Sequence, residues 1–255
     1  MIYELVFSAT GRTEAVMRHI TDQFPGEKIR VDLSAPQPDG NTPVFSPEDL
    51  CVVAVSVFEE RVPAPALRGL RRLQGNGASA VLLTVFGNRA VDDCLVELED
   101  ALLQQGFVPR AGTEAVAQHS ILTQVCPERP DAQDIRQLED FGNTLWAGWQ
   151  ENRLSGKLSL PGNRPYGQMS GISFKPKGNR RCSSCGLCAA NCPMGAIPKD
   201  NPRLTDREAC ITCMRCVSIC PQSARDFPKP LVSFFHFLMR DRFRQRKPNR
   251  LYLPK

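Results

Sequence analysis

The chain has 255 residues, of which 42% are hydrophobic and 23% are charged, and its formal net charge is +5. This length suits two domains, and the composition is that of an ordinary globular protein. No apolar stretch approaches the ~18 residues that span a bilayer, so the sequence predicts no transmembrane segment.

Strand and helix patterns alternate through residues 1–152, which we interpret as the first domain. The predicted strands are 2–7, 29–33, 50–57, 80–85 and 107–114, and the predicted helices are 13–24, 65–73, 92–105 and 131–151. Alternation of this kind predicts an α/β fold with a doubly wound parallel sheet covered by helices on both faces. The pattern alone leaves the order of the strands open.

The loop between the first strand and the first helix has the sequence SATGRT over residues 8–13. Small hydroxyl residues and a glycine at a helix N-terminus are suited to hold a phosphate, because backbone N–H groups converge there and the helix dipole favours an anion. The loop matches neither GxGxxG nor GxxxxGK[ST], which disfavours a dinucleotide-binding fold and an NTPase. A simple capped helix start is the alternative.

Residues 153–177 are rich in Gly, Pro, Ser and Asn and predict a linker that is long enough for the second part of the chain to fold back over the first. Residues 1–174 carry 15 Lys and Arg against 22 Asp and Glu, whereas residues 175–255 carry 17 against 5. A basic part beside an acidic one can dock within the molecule or attract an acidic protein partner.

Eight of the eleven cysteines form two copies of the pattern CxxCxxCxxxCP, in a predicted domain over residues 178–230. A 4Fe–4S cluster needs four thiolates, and in this bacterial run the fourth cysteine binds the other cluster. The first cluster would therefore be held by Cys182, Cys185, Cys188 and Cys220. The second would be held by Cys210, Cys213, Cys216 and Cys192.

Zinc and disulfides are the alternative uses of such cysteines. Structural zinc typically takes two close pairs, which leaves the third cysteine of each triplet unexplained, and disulfides favour small secreted domains. The first ten residues show no apolar signal sequence, and Cys51, Cys94 and Cys126 are scattered. Unpaired cysteines together with oxygen-sensitive clusters indicate a reducing cytoplasm.

Residues 231–255 form a basic tail whose first half carries apolar residues at helical spacing. We expect its aromatic face to pack against the body of the protein, because a small cysteine-rich domain needs apolar contacts from outside. A helix lying on an anionic membrane surface is the alternative.

Residues 8–13 resemble the phosphate loop that holds FMN in flavodoxins, whose usual form is Ser/Thr-x-Thr-Gly-Asn-Thr. Residues 84–89, with the sequence TVFGNR, resemble a loop beside the flavin ring in flavodoxin–ferredoxin fusions, and residues 55–63 resemble the other ring-side loop. With the cysteine motifs behind them, nearly the whole chain is similar to the EFR-type ferredoxins of anaerobic bacteria. The resemblance implies a flavodoxin-like domain followed by a small α+β domain of the bacterial ferredoxin type.

The resemblance assigns FMN to three loops. The residues that it places at the cofactor are Ser8, Thr10, Gly11, Arg12 and Thr13 in the phosphate loop, Val57, Phe58 and Pro63 in one ring-side loop, and Thr84, Val85, Phe86, Gly87, Asn88 and Arg89 in the other. Arg12 stands where the family usually has Asn, and Phe58 and Phe86 stand where Tyr or Trp often covers the flavin. Core packing is the alternative role of both phenylalanines.

These observations predict an electron-transfer protein that carries FMN and two 4Fe–4S clusters and exchanges electrons with a redox protein partner, which would be acidic if it docks on the basic part. A flavin-dependent reductase of a small substrate, fed by the clusters, is the alternative. Nucleic-acid binding is not expected, because the basic charges lack interleaved stacking aromatics. The sequence leaves the oligomeric state open.

Overall fold

The computed structural model describes residues 1–34, 42–168 and 174–255, apart from the side chains of Lys229, Leu231 and Phe235. The elements of the first domain are β1 (Ile2–Phe7), α1 (Arg12–Thr21), β2 (Lys28–Asp32), β3 (Leu50–Ser56), α2 (Ala64–Leu70), β4 (Ser79–Phe86), α3 (Cys94–Gln104), β5 (Val108–Val116) and α4 (Ala132–Gln150). The remaining elements are β6 (Lys177–Gly178), α5 (Leu187–Ala190), α6 (Arg215–Ser218), β7 (Arg225–Asp226), α7 (Lys229–Phe243) and β8 (Arg250–Tyr252).

The sheet of the first domain has parallel strands in the order β2-β1-β3-β4-β5. This is the flavodoxin-like doubly wound order, so the predicted fold class is confirmed. In such sheets ligands bind outside the carboxyl ends of the strands, at the point where the strand order reverses, here between β1 and β3. The loop over residues 8–13 lies at that point.

Helices cover both faces of the sheet. On one face Leu70 of α2 and Leu98 of α3 are fully buried, and on the other face Ile20 of α1 and Leu138 of α4 are fully buried. Burial of an aliphatic side chain of this size stabilises the fold by about 1.5–3 kcal/mol. The two apolar layers therefore fix the strands and hold the loops at their carboxyl ends in place.

The second domain is small and has little apolar core of its own. A short antiparallel pair, β6 with β7, closes it, and α5 and α6 carry Cys188 and Cys216, the third cysteines of the two motifs. The buried Arg225 side chain donates to the backbone carbonyl of Pro176 at 3.1 Å. A core this small, built around Cys188, Cys216 and Ile197, needs bound metal as an additional source of stability.

Part of the predicted linker is an ordered strap (residues 154–167) on the first domain. Asp93 accepts hydrogen bonds from the backbone N–H groups of Asn163 at 2.8 Å and Gly167 at 2.7 Å. Arg164 pairs with Asp100 at 2.8 Å. These contacts hold the strap along the N-terminal half of α3.

The tail returns to the first domain. Beyond α7, strand β8 pairs antiparallel with β5 and covers its edge at residues 112–114. The expected packing of the aromatic face is wrong in part, because Phe234, Phe237 and Leu238 are 61%, 60% and 60% exposed. The helix packs through Met239 and Phe243, which lie on its opposite side. Within the described residues no helix is both long and apolar enough to cross a membrane.

Candidate cofactor sites

The loop over residues 8–13 leaves room for an approaching group. Gly11 has a φ of 84°, and no atom lies within 4 Å of the position that a Cβ there would take. The Ser8 hydroxyl oxygen accepts a hydrogen bond from the backbone N–H of Glu14 at 3.2 Å. Glycine adopts this left-handed conformation without the penalty of about 1–2 kcal/mol that other L-residues meet. The loop thus combines an open backbone with a local cap at the start of α1.

Arg12 and Thr13 are held by neighbouring loops. The Arg12 guanidinium donates to the side-chain carbonyl of Gln118, and burial lowers its pKa. The Thr13 and Ser56 hydroxyl oxygens lie 2.6 Å apart in a hydrogen bond at the end of β3. Thr10 and Arg12 line a cavity of about 540 Å³ together with residues 120–124 and part of the second domain. A partly desolvated cation at this cavity favours an anionic ligand.

The first ring-side loop is a tight turn after β3. Phe58 and Arg61 exchange both backbone hydrogen bonds at 3.0 Å, and between them Glu59 and Glu60 have φ values of 49° and 74°. The Phe58 ring packs edge-on against Phe7 at 5.9 Å between centroids. Phe58 thus contacts the core.

The flanking residues of this loop have different surroundings. Val57 lines a cavity of about 220 Å³ at the second ring-side loop, and its backbone N–H donates to Val85 at 2.8 Å. Pro63 is buried at the start of α2.

Half of the second predicted ring-side segment belongs to the sheet, because β4 extends one residue beyond its predicted end. Thr84 is fully buried and its hydroxyl donates to the Thr113 carbonyl at 3.3 Å. Val85 packs in the layer below α1 and α4. The Thr84 side chain thus hydrogen-bonds within the sheet, and its assignment to FMN stays a prediction. Phe86 is 5% exposed but lines the 220 Å³ cavity.

Gly87 lies against His119, which follows β5. A Cβ on Gly87 would come within 2.7 Å of His119 Cδ2, so the imidazole requires glycine here. Burial lowers the pKa of His119 to about 4, with Arg89 as a second cause, and Nδ1 accepts from the backbone N–H of Ile121 at 3.1 Å. His119 is thus a neutral ring beside the 220 Å³ cavity. From the sequence we expect a surface or core histidine here, with an approach to the flavin as the alternative.

The Asn88 side chain forms hydrogen bonds with the C-terminal segment. Its side-chain amide donates to the carbonyls of Phe243 at 2.8 Å and Gln245 at 3.0 Å, and its oxygen accepts from the Lys247 backbone N–H at 2.9 Å. Both amide N–H groups are therefore used within the protein, and the contact of this side chain with FMN stays a prediction. Arg89 pairs with Asp92 and, at 3.1 Å, with Glu60.

The 220 Å³ cavity adjoins the 540 Å³ cavity at the carboxyl edge of the sheet, since Ile121 lines both. The larger one falls in the range of ~300–1,000 Å³ that is typical of small-molecule sites. Met239, Arg242 and Phe243 of the tail form one wall of the smaller one. The edge therefore offers two neighbouring cavities, one at the phosphate loop and one at the ring-side loops.

The structure brings together the cysteines that the crossed rule assigns to the second cluster. A small cavity in the second domain is lined by Cys192, Cys210, Cys213 and Cys216. Burial raises the pKa of Cys213 to about 12, and the neighbouring thiols of Cys216, Cys192 and Cys210 add to this. Such a site favours thiolates only when positive charge, here the iron of a cluster, enters it.

Backbone N–H groups point at motif sulfurs. Ala196 donates to Cys192 Sγ at 3.3 Å, Thr212 to Cys210 Sγ at 3.4 Å, and Ala224 to Cys220 Sγ at 3.3 Å. Bonds of this kind tune the reduction potential of a cluster. Within residues 1–34, 42–168 and 174–255, no three His, Cys, Asp or Glu side chains are placed to hold a single metal ion.

Comparison with protein families supports the cluster interpretation. Residues 181–225 match the family described as the 4Fe-4S dicluster domain, and this range contains all eight motif cysteines. This part of the chain carries iron–sulfur clusters, and the zinc alternative is rejected. The chain thus joins a domain of flavodoxin-like strand order to a 4Fe–4S dicluster domain.

Solved structures similar to the chain include flavodoxins. The Streptococcus pneumonia TIGR4 flavodoxin is 16% identical, with a TM-score of 0.40, over 58% of this chain and 99% of that one. The Megasphaera elsdenii flavodoxin is 15% identical, with a TM-score of 0.38, over 56% and 99%. No curated protein matches the chain. Because these TM-scores are low, the assignment of the flavodoxin-like fold rests on the strand order of the sheet.

Proposed function

We propose that the protein is a cytoplasmic electron-transfer protein of the EFR type, which passes electrons between two 4Fe–4S clusters and FMN. The observation that carries this proposal is the contact of the cluster-binding domain with the loop predicted to hold the FMN phosphate: the Arg215 guanidinium donates to the Ser8 carbonyl at 2.9 Å. Each cluster moves single electrons, whereas a flavin stores one or two.

The residues at the carboxyl edge fit FMN. The open backbone at Gly11, the Thr10 hydroxyl and the Arg12 cation would hold the phosphate, and they lie at the strand-order reversal where this fold binds ligands. Val57, Phe86 and Gly87 line the cavity where the ring would lie. Backbone groups and apolar side chains would do most of the ring binding, since the Asn88 amide is engaged elsewhere.

The tail wall of the ring cavity narrows access to it, which favours an electron carrier over a reductase of a small substrate. Met239, Arg242 and Phe243 line that cavity from the tail side, and the Phe243 ring meets the His119 ring edge-on at 5.4 Å between centroids. A substrate that takes hydride or protons must reach the flavin ring directly, whereas electrons travel from a nearby cluster without such access.

Cofactor analysis of anaerobically purified protein tests the proposal. We expect about eight irons, a similar amount of sulfide and one flavin per chain. A preparation with iron but without flavin, and with no affinity for added FMN, would contradict the FMN part.

A phosphate-loop variant sharpens that test. Arg12→Glu should weaken FMN binding about tenfold or more, because it places a carboxylate at the phosphate. Riboflavin, which lacks the phosphate, should bind both proteins alike. Arg18→Glu is the control, because Arg18 is exposed in the last turn of α1. Equal FMN affinities of the two variants would exclude residues 8–13 as the phosphate site.

A further inference from the structure

The second cluster set, Cys192, Cys210, Cys213 and Cys216, faces the first domain, and we call it the inner set. Cys213 belongs to the same apolar cluster as Phe7 and Ala9. Arg215, which lies inside this cysteine run, donates to the Ser34 hydroxyl at 2.7 Å in addition to the Ser8 carbonyl. On the other side Arg68 of α2 donates to the Pro193 carbonyl at 2.8 Å, directly after Cys192.

The first cluster set, Cys182, Cys185, Cys188 and Cys220, is the outer set. Cys185 is exposed, Cys182 and Cys220 are half-buried, and Cys188 is buried. Leu187, between two of the ligands, is 42% exposed. A cluster held here would therefore lie close to solvent, with an apolar side chain beside it that a protein surface can cover.

Two exposed arginines are fixed beside the outer set. Arg181 donates to the Ser223 carbonyl at 2.6 Å, and Arg203 donates to the Cys182 carbonyl at 3.1 Å. Residues 179–191 and 218–224, which contain the outer-set cysteines, include no Asp or Glu. The guanidinium groups thus form a positive rim around the exposed edge of the outer set.

We infer that this outer surface, defined by Arg181, Cys185, Leu187 and Arg203, is the docking site of an acidic one-electron redox protein. The inference rests on the proposed function and adds the place where electrons enter or leave. Cys182, Cys185, Cys188 and Cys220 would hold the cluster beside this surface, and the one electron lost by the partner would be the one electron gained at that cluster. No covalent bond forms or breaks. The same steps run in reverse when the partner is an acceptor.

Binding of an acidic [2Fe–2S] ferredoxin to the holoprotein tests the inference. We expect the double variant Arg181→Glu/Arg203→Glu to weaken binding about tenfold or more at low ionic strength, and the difference to shrink at high salt, because exposed charges are screened. Binding is measured by titration calorimetry with both proteins oxidised, so that the readout is independent of turnover. The double variant Arg181→Lys/Arg203→Lys should retain the affinity, since it keeps the charge.

Arg153→Glu/Arg18→Glu is the charge-matched control, because both arginines are exposed and lie outside the second domain. Equal weakening by this control and by the outer-surface variant would overturn the inference, as would a wild-type affinity that does not depend on salt. Iron and flavin analysis of every sample distinguishes failure of the proposed function from failure of the docking inference. Loss of FMN binding with intact salt-dependent docking would contradict the proposed function only, whereas full cofactor content without docking would contradict the inference only.

Discussion

The side-chain amide of Asn88 donates to the backbone carbonyl of Phe243 at 2.8 Å, and so joins the loop after β4 to the end of α7. Because Gln245 and Lys247 use the remaining bonds of the same amide, the chain between α7 and β8 is fixed by one buried side chain. We call these hydrogen bonds of Asn88 to Phe243, Gln245 and Lys247 the clasp. The clasp keeps Phe243 beside the cavity at Gly87.

Asn88→Asp should lower the free energy of unfolding by about 2 kcal/mol or more, because a carboxylate replaces two donated hydrogen bonds in a buried site. Asn152→Asp is the matched control: Asn152 also has a positive φ, 52°, but it is exposed. Urea unfolding monitored by circular dichroism measures both. An Asn88→Asp protein as stable as the control would show that the clasp contributes little.

Glu60→Gly should stabilise the protein by about 1 kcal/mol, because glycine adopts a φ of 74° without the strain that a glutamate meets there. The substitution also removes the ion pair between Glu60 and Arg89. Because the Glu60 side chain is exposed, this ion pair contributes less than about 1 kcal/mol to stability. Glu60→Gln removes the charge but keeps the strain, so it separates the two effects. The expected order of melting temperatures is Gly variant above wild type, with the Gln variant no higher than wild type.

The free energy of unfolding should fall at acid pH, because carboxylates hold the strap on the first domain. The N–H groups of Gly167 and then Asn163 lower the pKa of Asp93, against the opposing effect of burial, and Arg164 lowers the pKa of Asp100. Carboxylates with a depressed folded pKa add stability that is complete above the unfolded pKa of about 4 and is lost as the pH falls through the folded pKa.

The difference in unfolding free energy between wild type and Asp93→Asn should therefore be constant near neutral pH and shrink below about pH 4. Comparison at each pH cancels effects that both proteins share, such as acid damage to the clusters. The exposed Asp200→Asn provides the control. A difference that stays unchanged down to pH 2 would show that the Asp93 carboxylate does not stabilise the strap.

Cys192→Ser and Cys213→Ser should each remove one cluster and leave about four irons, because the crossed rule places both ligands on the inner cluster. The double variant should then lose no more iron than either single variant. With uncrossed ligands the double variant would instead lose both clusters. Cys126→Ser, outside the motifs, should keep the full iron content. Iron analysis and the visible spectrum of each anaerobic preparation provide the measurement.

Periodic patterns predicted the first domain well because its elements are long and their burial is regular. Strand β3 and helix α4 differ from the predicted ranges by one residue at the ends. Strand β8 was not predicted, since three residues carry no readable alternation and their pairing with β5 depends on contacts far along the chain. The exposed Phe234 shows the same limit, because periodicity defines a helix face but not its partner.

For the cofactor sites, residue spacing was informative about the iron–sulfur clusters, because cysteine sulfurs bind the iron directly. The inner-set cysteines meet around one cavity, as their pattern predicts. The FMN loops were harder to predict, because the same polar residue can serve a ligand or the protein itself. Asn88 and Thr84 satisfy buried backbone groups, and only three-dimensional neighbours such as Phe243 reveal that use.

Strand β8 makes the first domain discontinuous in the chain. Its sheet combines residues 2–116 with residues 250–252, and the 4Fe–4S dicluster domain lies between these parts like an inserted module. An uncovered β5 edge would present unpaired N–H and carbonyl groups to other chains. During synthesis that edge stays open until the cysteine motifs have emerged and Tyr252 has followed them. Pairing of β8 with β5 therefore comes only after the metal-binding segment has been made.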